Sequence, residues 1–129
     1  MIEVKIYYED TDAGGIVYYA NYLRYFERAR TEYFSANGFD IKKLADQGVL
    51  FVVAHAEVDY HSSARLGDIL QIETTIKEPA KVSFWVDYSV KNKTDGKLIV
   101  TGRTKMACVS ANLKIQKIPV EMLEKIQQG

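Results

Sequence analysis

Tyr7-Tyr8-Glu9-Asp10-Thr11-Asp12-Ala13-Gly14-Gly15-Ile16-Val17-Tyr18-Tyr19-Ala20-Asn21-Tyr22 carries an acid-rich run through a glycine turn and into an aromatic segment. From there the pattern changes. Tyr22, Phe26, Ala29 and Tyr33 recur at spacings of three and four, and Leu23, Phe26, Arg30 and Phe34 form an overlapping row. That period predicts a helix from about Tyr19 to Asn37 with a wide apolar arc. Arg24, Glu27, Arg28, Thr31 and Glu32 mark its polar side, and Asn37-Gly38 is a stop signal.

Upstream, Ile2 to Tyr8 is short, β-branched and aromatic, which predicts a first strand. Downstream, Ile41 to Gln47 forms one short helical turn. Leu50 to Tyr60, Ile69 to Lys77, Val82 to Lys91 and Leu98 to Ser110 then read as strands. The breaks between them carry turn chemistry, and Asn92-Lys93-Thr94-Asp95-Gly96 is a clear hairpin signal. Pro119 opens a short C-terminal helix in which Glu121 and Lys125 pair four apart. The order of strand, long helix and four strands predicts one α+β domain over residues 1–129 with an antiparallel sheet. A single helix cannot cover both faces of such a sheet, so the sheet is expected to wrap around it. The long final strands leave an edge that needs a partner. A homo-oligomer built by joining sheets follows.

Composition bounds the function. The chain has 129 residues, 47% of them hydrophobic, enough for one core. Its 17 basic and 17 acidic residues cancel, so no large field draws nucleic acid or an anionic membrane. The single cysteine, Cys108, cannot form an internal disulfide and reads as a buried thiol, which fits a reducing compartment. No apolar run is long enough for a bilayer and no secretory segment follows Met1, so a cytoplasmic location is expected. His55, His61 and Cys108 lack metal-ligand spacing, and neither a P-loop nor a dinucleotide fingerprint is present. No metal or cofactor is expected.

The helix-entry segment carries the chemistry. It places carboxylates beside a helix N-terminus, where backbone N–H groups lack intrahelical partners. A carboxylate can attack or activate water, and free amides can hold an oxyanion. Those are the two halves needed to hydrolyse an acyl compound. Asp12 is the candidate carboxylate, although an Asp next to glycine also commonly caps a turn. Asp10 is assigned to loop amides and Glu9 to solvent.

Asp10-Thr11-Asp12-Ala13-Gly14-Gly15-Ile16-Val17-Tyr18-Tyr19-Ala20-Asn21-Tyr22, continued by Glu27-Arg28-Ala29-Arg30-Thr31-Glu32, resembles the hotdog-fold acyl-CoA thioesterases. Two branches are close, the 4-hydroxybenzoyl-CoA thioesterases and the acyl-CoA thioesterases associated with the Tol-Pal system. Ala64-Arg65-Leu66-Gly67-Asp68 and the stretch from Leu70 to Lys77 are similar to them as well. The resemblance implies a long helix wrapped by a five-stranded antiparallel sheet, sites at dimer interfaces, and often a homotetramer. It implies an acyl-CoA substrate, with acyl carrier protein as an alternative carrier. Asp12 would be the catalytic carboxylate, as general base or nucleophile. The Tyr19 backbone N–H would polarise the thioester carbonyl.

One position departs from the Tol-Pal branch, which usually has histidine where Tyr19 stands. A phenol ionises near pH 10, so it is no base at neutrality, but its amide is unaffected. The hydroxybenzoyl branch has tyrosine here. The acyl group therefore stays open, as does a non-catalytic acyl-CoA or acyl carrier protein binding module. A hotdog dehydratase ranks behind both, since that chemistry calls for a histidine in the motif. Tyr18 is the candidate for lining the acyl or pantetheine channel, against a core role. Arg65 is the candidate for meeting a CoA phosphate, against a salt bridge with Asp68. His61, at a strand end, and His55, mid-strand, read as ordinary surface histidines.

Overall fold

The computed structural model describes residues 1–127; Gln128 and Gly129, the end of the expected domain span, lie outside them. In chain order the elements are β1 (Ile2–Lys5), a 3-10 turn (Tyr8–Asp10), α1 (Asn21–Ala36), α2 (Ile41–Asp46), β2 (Leu50–Tyr60), β3 (Ile69–Lys77), β4 (Ser83–Asn92), β5 (Leu98–Val109) and α3 (Val120–Gln127). Among the described residues no helix is long and apolar enough to cross a membrane.

Local chemistry explains the boundaries. β1 stops at Lys5 rather than running to Tyr8, because Asp10 Oδ2 accepts the Tyr7 N–H at 2.9 Å and winds the chain into a turn. Helix α1 begins at Asn21, two residues later than the apolar spacing suggests, and no side chain caps it. Its far end closes as a Schellman motif. Phe39 N–H donates to the Phe34 carbonyl at 2.8 Å, Gly38 N–H donates to Ser35, and Gly38 takes φ +90°. Asp40 then caps α2 by accepting from the Lys42 and Lys43 amides.

The strands form one antiparallel sheet in the order β1-β3-β4-β5-β2. Alternation is cleanest along β4, where Phe84, Val86, Tyr88 and Val90 are buried and Ser83, Trp85, Asp87 and Ser89 are half-buried. The hairpin to β5 turns at Asn92-Gly96, with Gly96 N–H on the Asn92 carbonyl at 2.8 Å and Gly96 at φ +72°. One expectation is corrected here. The final strand β5 is interior, paired to both β4 and β2, and the long free edge is β2. The crossover through α1 and α2 carries β2 past β5 to the rim, which no local pattern encodes.

Helix α1 lies across the inner face of this sheet. Tyr22, Tyr25, Phe26, Ala29 and Phe34 are its buried residues, while Leu23, placed on the apolar arc by its spacing, is 44% exposed. Phe26 is fully buried and stacks on Tyr88 with ring centroids 4.2 Å apart and planes 6° from parallel. Beside Tyr88, its cross-strand partner Gly102 on β5 presents no side chain to the ring. A Cβ at Gly102 would lie 2.5 Å from the Phe26 ring and 3.0 Å from the Glu57 carbonyl oxygen. Gly102→Ala is therefore expected to destabilise the fold by about 1–3 kcal/mol through overpacking. The check is a lowered urea midpoint at unchanged slope; wild-type stability would mean that α1 can ride higher on the sheet.

Candidate active site

The segment between β1 and α1 folds into a tight loop closed by a bridge from Thr11 to Val17. Asp12 N–H donates to Ile16 at 2.9 Å and Gly15 N–H returns to the Asp12 carbonyl at 3.0 Å. Gly15 sits at φ +78°, where a side chain would be strained. Asp12 Oδ1 accepts the Gly14 N–H at 2.8 Å, so the residue does close an Asx turn. That uses one oxygen. The other has no partner among the described residues, and the carboxylate faces solvent.

Backbone bonds dock this loop against its neighbours. Val17 N–H donates to Ala64 at 2.8 Å, and Ile16 bridges to Arg65. The Asp10 carbonyl accepts both the Tyr18 N–H at 3.0 Å and Asn21 Nδ2 at 3.1 Å. The helical turn then starts with Asn21 N–H on Tyr18 and Tyr22 N–H on Tyr19. Between them, the N–H groups of Tyr19 and Ala20 have no acceptor among the described residues. Free amides at the positive end of a helix attract developing negative charge.

Beside them opens a cleft of about 350 Å³, lined by Ile16, Val17, Tyr19, Tyr22, Tyr60, Ser62 and Ser63. Tyr60 closes one wall from β2. Its hydroxyl donates to the Tyr19 carbonyl at 3.3 Å, and its ring lies 5.9 Å from those of Tyr19 and Tyr22. Burial pushes the Tyr22 phenol up to about 12. Burial, then the neighbouring Tyr19, raises Tyr60 as well. These hydroxyls stay protonated at neutral pH and serve as donors, not bases.

Tyr25, one turn along α1, is 1% exposed, and its hydroxyl is buried without a hydrogen-bond partner. Burial pushes its ionisation up, and the adjacent Asp10 carboxylate adds to the effect.

Of the sequence-predicted site residues only Tyr19 lines this cleft; Asp12, on the adjoining loop, is not among the lining residues, and neither are the others. Tyr18 stacks on Tyr19 at 5.0 Å but stands away from the lining. The Arg65 side chain is exposed, and in place of the alternative ion pair with Asp68 its backbone N–H donates to Asp68 Oδ2 at 2.9 Å. His61 Nε2 pairs with Thr101 Oγ1 at 2.9 Å, and His55 Nε2 with Glu57 at 3.1 Å. No group of His, Cys, Asp and Glu among the described residues is arranged to hold a metal. Cys108 is buried, and that burial raises its thiol. The sequence reading missed Tyr60, Ser62 and Ser63, because only cross-chain packing brings the end of β2 to the helix entry.

Known proteins share this architecture. Residues 7–126 match the thioesterase-like superfamily. The chain is 40% identical to the acyl-CoA thioesterase YbgC of Haemophilus influenzae over 107 residues, covering 82% of this chain and 77% of that one. It is 35% identical to the acyl-CoA thioester hydrolase YbgC of Escherichia coli O6:H1, covering 97% and 93%. A solved 4-hydroxybenzoyl-CoA thioesterase bound to 4-hydroxybenzoyl-CoA superimposes with TM-score 0.88 at 25% identity, covering 97% and 96%. A five-stranded antiparallel hotdog sheet around one long helix, and a match over nearly the whole sequence, agree: this chain belongs to the thioesterase-like superfamily.

Proposed function

We propose that this protein hydrolyses an acyl-CoA thioester to a free acid and coenzyme A. The observation that carries the reading is that the Tyr19 and Ala20 amides are unpartnered and that the loop leading to them carries Asp12, whose second carboxylate oxygen has no partner among the described residues. The Haemophilus and Escherichia relatives support the same reaction class by their names. The thioester carbonyl docks on the Tyr19 N–H, where the helix end favours the oxyanion; one such donor is worth roughly 10²–10³ in rate. The free Asp12 oxygen then takes a proton from water as it attacks the carbonyl, or attacks directly to form a mixed anhydride that water opens. Either way the C–S bond breaks and coenzyme A leaves as the thiol. The Tyr19, Tyr22 and Tyr60 rings form the cleft wall for the acyl group or the pantetheine arm.

The free β2 edge supports an oligomer. β2 spans Leu50–Tyr60, pairs on one side only, and leaves Val52 38% and Val53 47% exposed. A long unpaired edge of this kind templates strand addition. A second copy pairing along β2 continues the sheet and sets its own surface beside the Tyr60 cleft.

Three outcomes are expected. Thiol release from short, long and aromatic acyl-CoAs identifies the substrate, and Asp12→Asn lowers kcat by about 10²-fold or more while the circular dichroism stays native. Near-normal turnover in that variant would remove Asp12 from the reaction. Binding of acyl-CoA without turnover by the wild type would favour the non-catalytic carrier module, a reading kept open by a tyrosine side chain at position 19. Tyr19→Phe keeps kcat within about threefold, because the amide survives; a collapse would give the phenol a role. Sedimentation at micromolar concentration shows a dimer or larger, and a monomer would contradict the edge-strand interface.

A further inference from the structure

A second cavity, of about 80 Å³, lies farther along α1, where the helix meets α2 and the sheet. Phe34, Phe84 and Met106 line it and are buried, and half-buried Ile41 of α2 joins them. Phe34 packs edge-on against Phe84 with ring centroids 5.5 Å apart. These side chains give the cavity an apolar lining.

The remaining contribution of α1 is polar: Glu27, Arg30 and Thr31. With Phe34 they follow spacings of three and four, so one stripe of the helix carries them all. Arg30 is half-buried and its Nη1 donates to the Tyr88 hydroxyl at 3.4 Å. Glu27 Oε1 accepts the Thr31 hydroxyl at 3.5 Å. Residues three apart on a helix lie within reach of a direct ion pair, with Cβ atoms about 5–6 Å apart. Yet among the described residues neither Glu27 nor Arg30 is in a salt bridge. The cavity therefore presents one positive and one negative group, each without a counter-ion.

That combination selects the ligand. A simple carboxylate meets Arg30 but is repelled by Glu27, and a simple amine has the reverse problem. A zwitterion satisfies both. The apolar lining calls for a hydrocarbon side chain. At roughly 10–15 Å³ for each water-sized unit, the cavity admits about five to eight of them, which suits a branched aliphatic or phenyl group.

We propose that this cavity binds a free apolar α-amino acid. Arg30 takes the carboxylate, Glu27 takes the ammonium group, and Phe34, Phe84 and Met106 receive the side chain. Arg30 follows the cleft residue Tyr22 by eight positions. The two are thus about 12 Å apart along the helix axis, and the site does not depend on the thioesterase reading.

The test titrates the full chain with L-leucine, with isocaproate, which lacks the ammonium group, and with isopentylamine, which lacks the carboxylate. Calorimetry and NMR of the methyl groups follow binding. Leucine is expected to bind with a Kd of about 1 mM or tighter. It should shift the Met106 and Ile41 methyl signals and leave those of Ile16 and Val17 in the cleft unmoved. Each analogue with a single charge should bind about tenfold more weakly or worse. Glu27→Gln should weaken leucine about tenfold yet strengthen isocaproate, an inversion that a merely structural role would not produce. Arg30→Gln should weaken leucine and strengthen isopentylamine. The absence of a saturable shift at Met106 and Ile41 with about 10 mM leucine overturns the proposal. So does isocaproate binding as tightly as leucine, or a leucine shift confined to Ile16 and Val17. If Arg30→Gln does not fold, the exposed Glu27→Gln and the wild-type comparison of the three ligands decide.

Discussion

The contact of Phe26 with the bare backbone of Gly102 sets the height of α1 above the sheet. Tyr88 stacks under the same ring, so the helix is seated by one aromatic side chain between a second ring and a position without a side chain. Close-packed interiors transmit such constraints over the length of an element. With Phe26 seated, Tyr22 reaches the cleft toward one end of α1 and Phe34 packs on Phe84 toward the other. The first turn of the helix, and the unpartnered amides just before it, are placed by this seating.

Those amides sit where the chain changes from loop to helix, and that transition is over-determined. The Asp10 carbonyl accepts from the Tyr18 N–H and from the Asn21 side chain, the Asx turn at Asp12 holds the loop, and Ala64 holds Val17. Rigid backbone on both sides leaves little for a substrate to reorganise. Preorganised donors act without that cost, which makes helix entries effective anion sites. The wall opposite is contributed by Tyr60, from the edge strand β2. One element therefore serves both the free sheet edge and the cleft. Any partner that orders β2 also steadies the Tyr60–Tyr19 contact.

The histidines illustrate how placement decides chemistry. His61 is adjacent in sequence to Tyr60 but pairs with Thr101 and does not line the cleft. His61 lies one residue past the end of β2, where its backbone N–H still bonds the Ile99 carbonyl at 2.8 Å and its ring turns to Thr101. Burial keeps the Tyr22 and Tyr60 phenols protonated, so among the cleft side chains no base is available at neutral pH. That leaves the carboxylate on the loop as the natural proton acceptor in the proposed reaction.

Much of this was legible in the residues. The 3.6-residue spacing around Phe26, the turn chemistry at Asn92–Gly96 and the Asn37-Gly38 stop depend on neighbours a few positions apart, so local pattern determines them. The Asp12–Gly15 loop is equally local, since an Asx bond and a left-handed glycine need only adjacent residues. Other features depend on partners far along the chain. The sheet order made β5 interior and β2 the edge, contrary to the expectation that the final strands would lie exposed. Tyr60, Ser62 and Ser63 joined the cleft, and Tyr18 and Arg65 stayed outside it, through packing between segments some forty residues apart. The stranded Tyr25 hydroxyl belongs to the same class. Helical periodicity can bury a ring, but only tertiary packing decides whether its oxygen finds a partner.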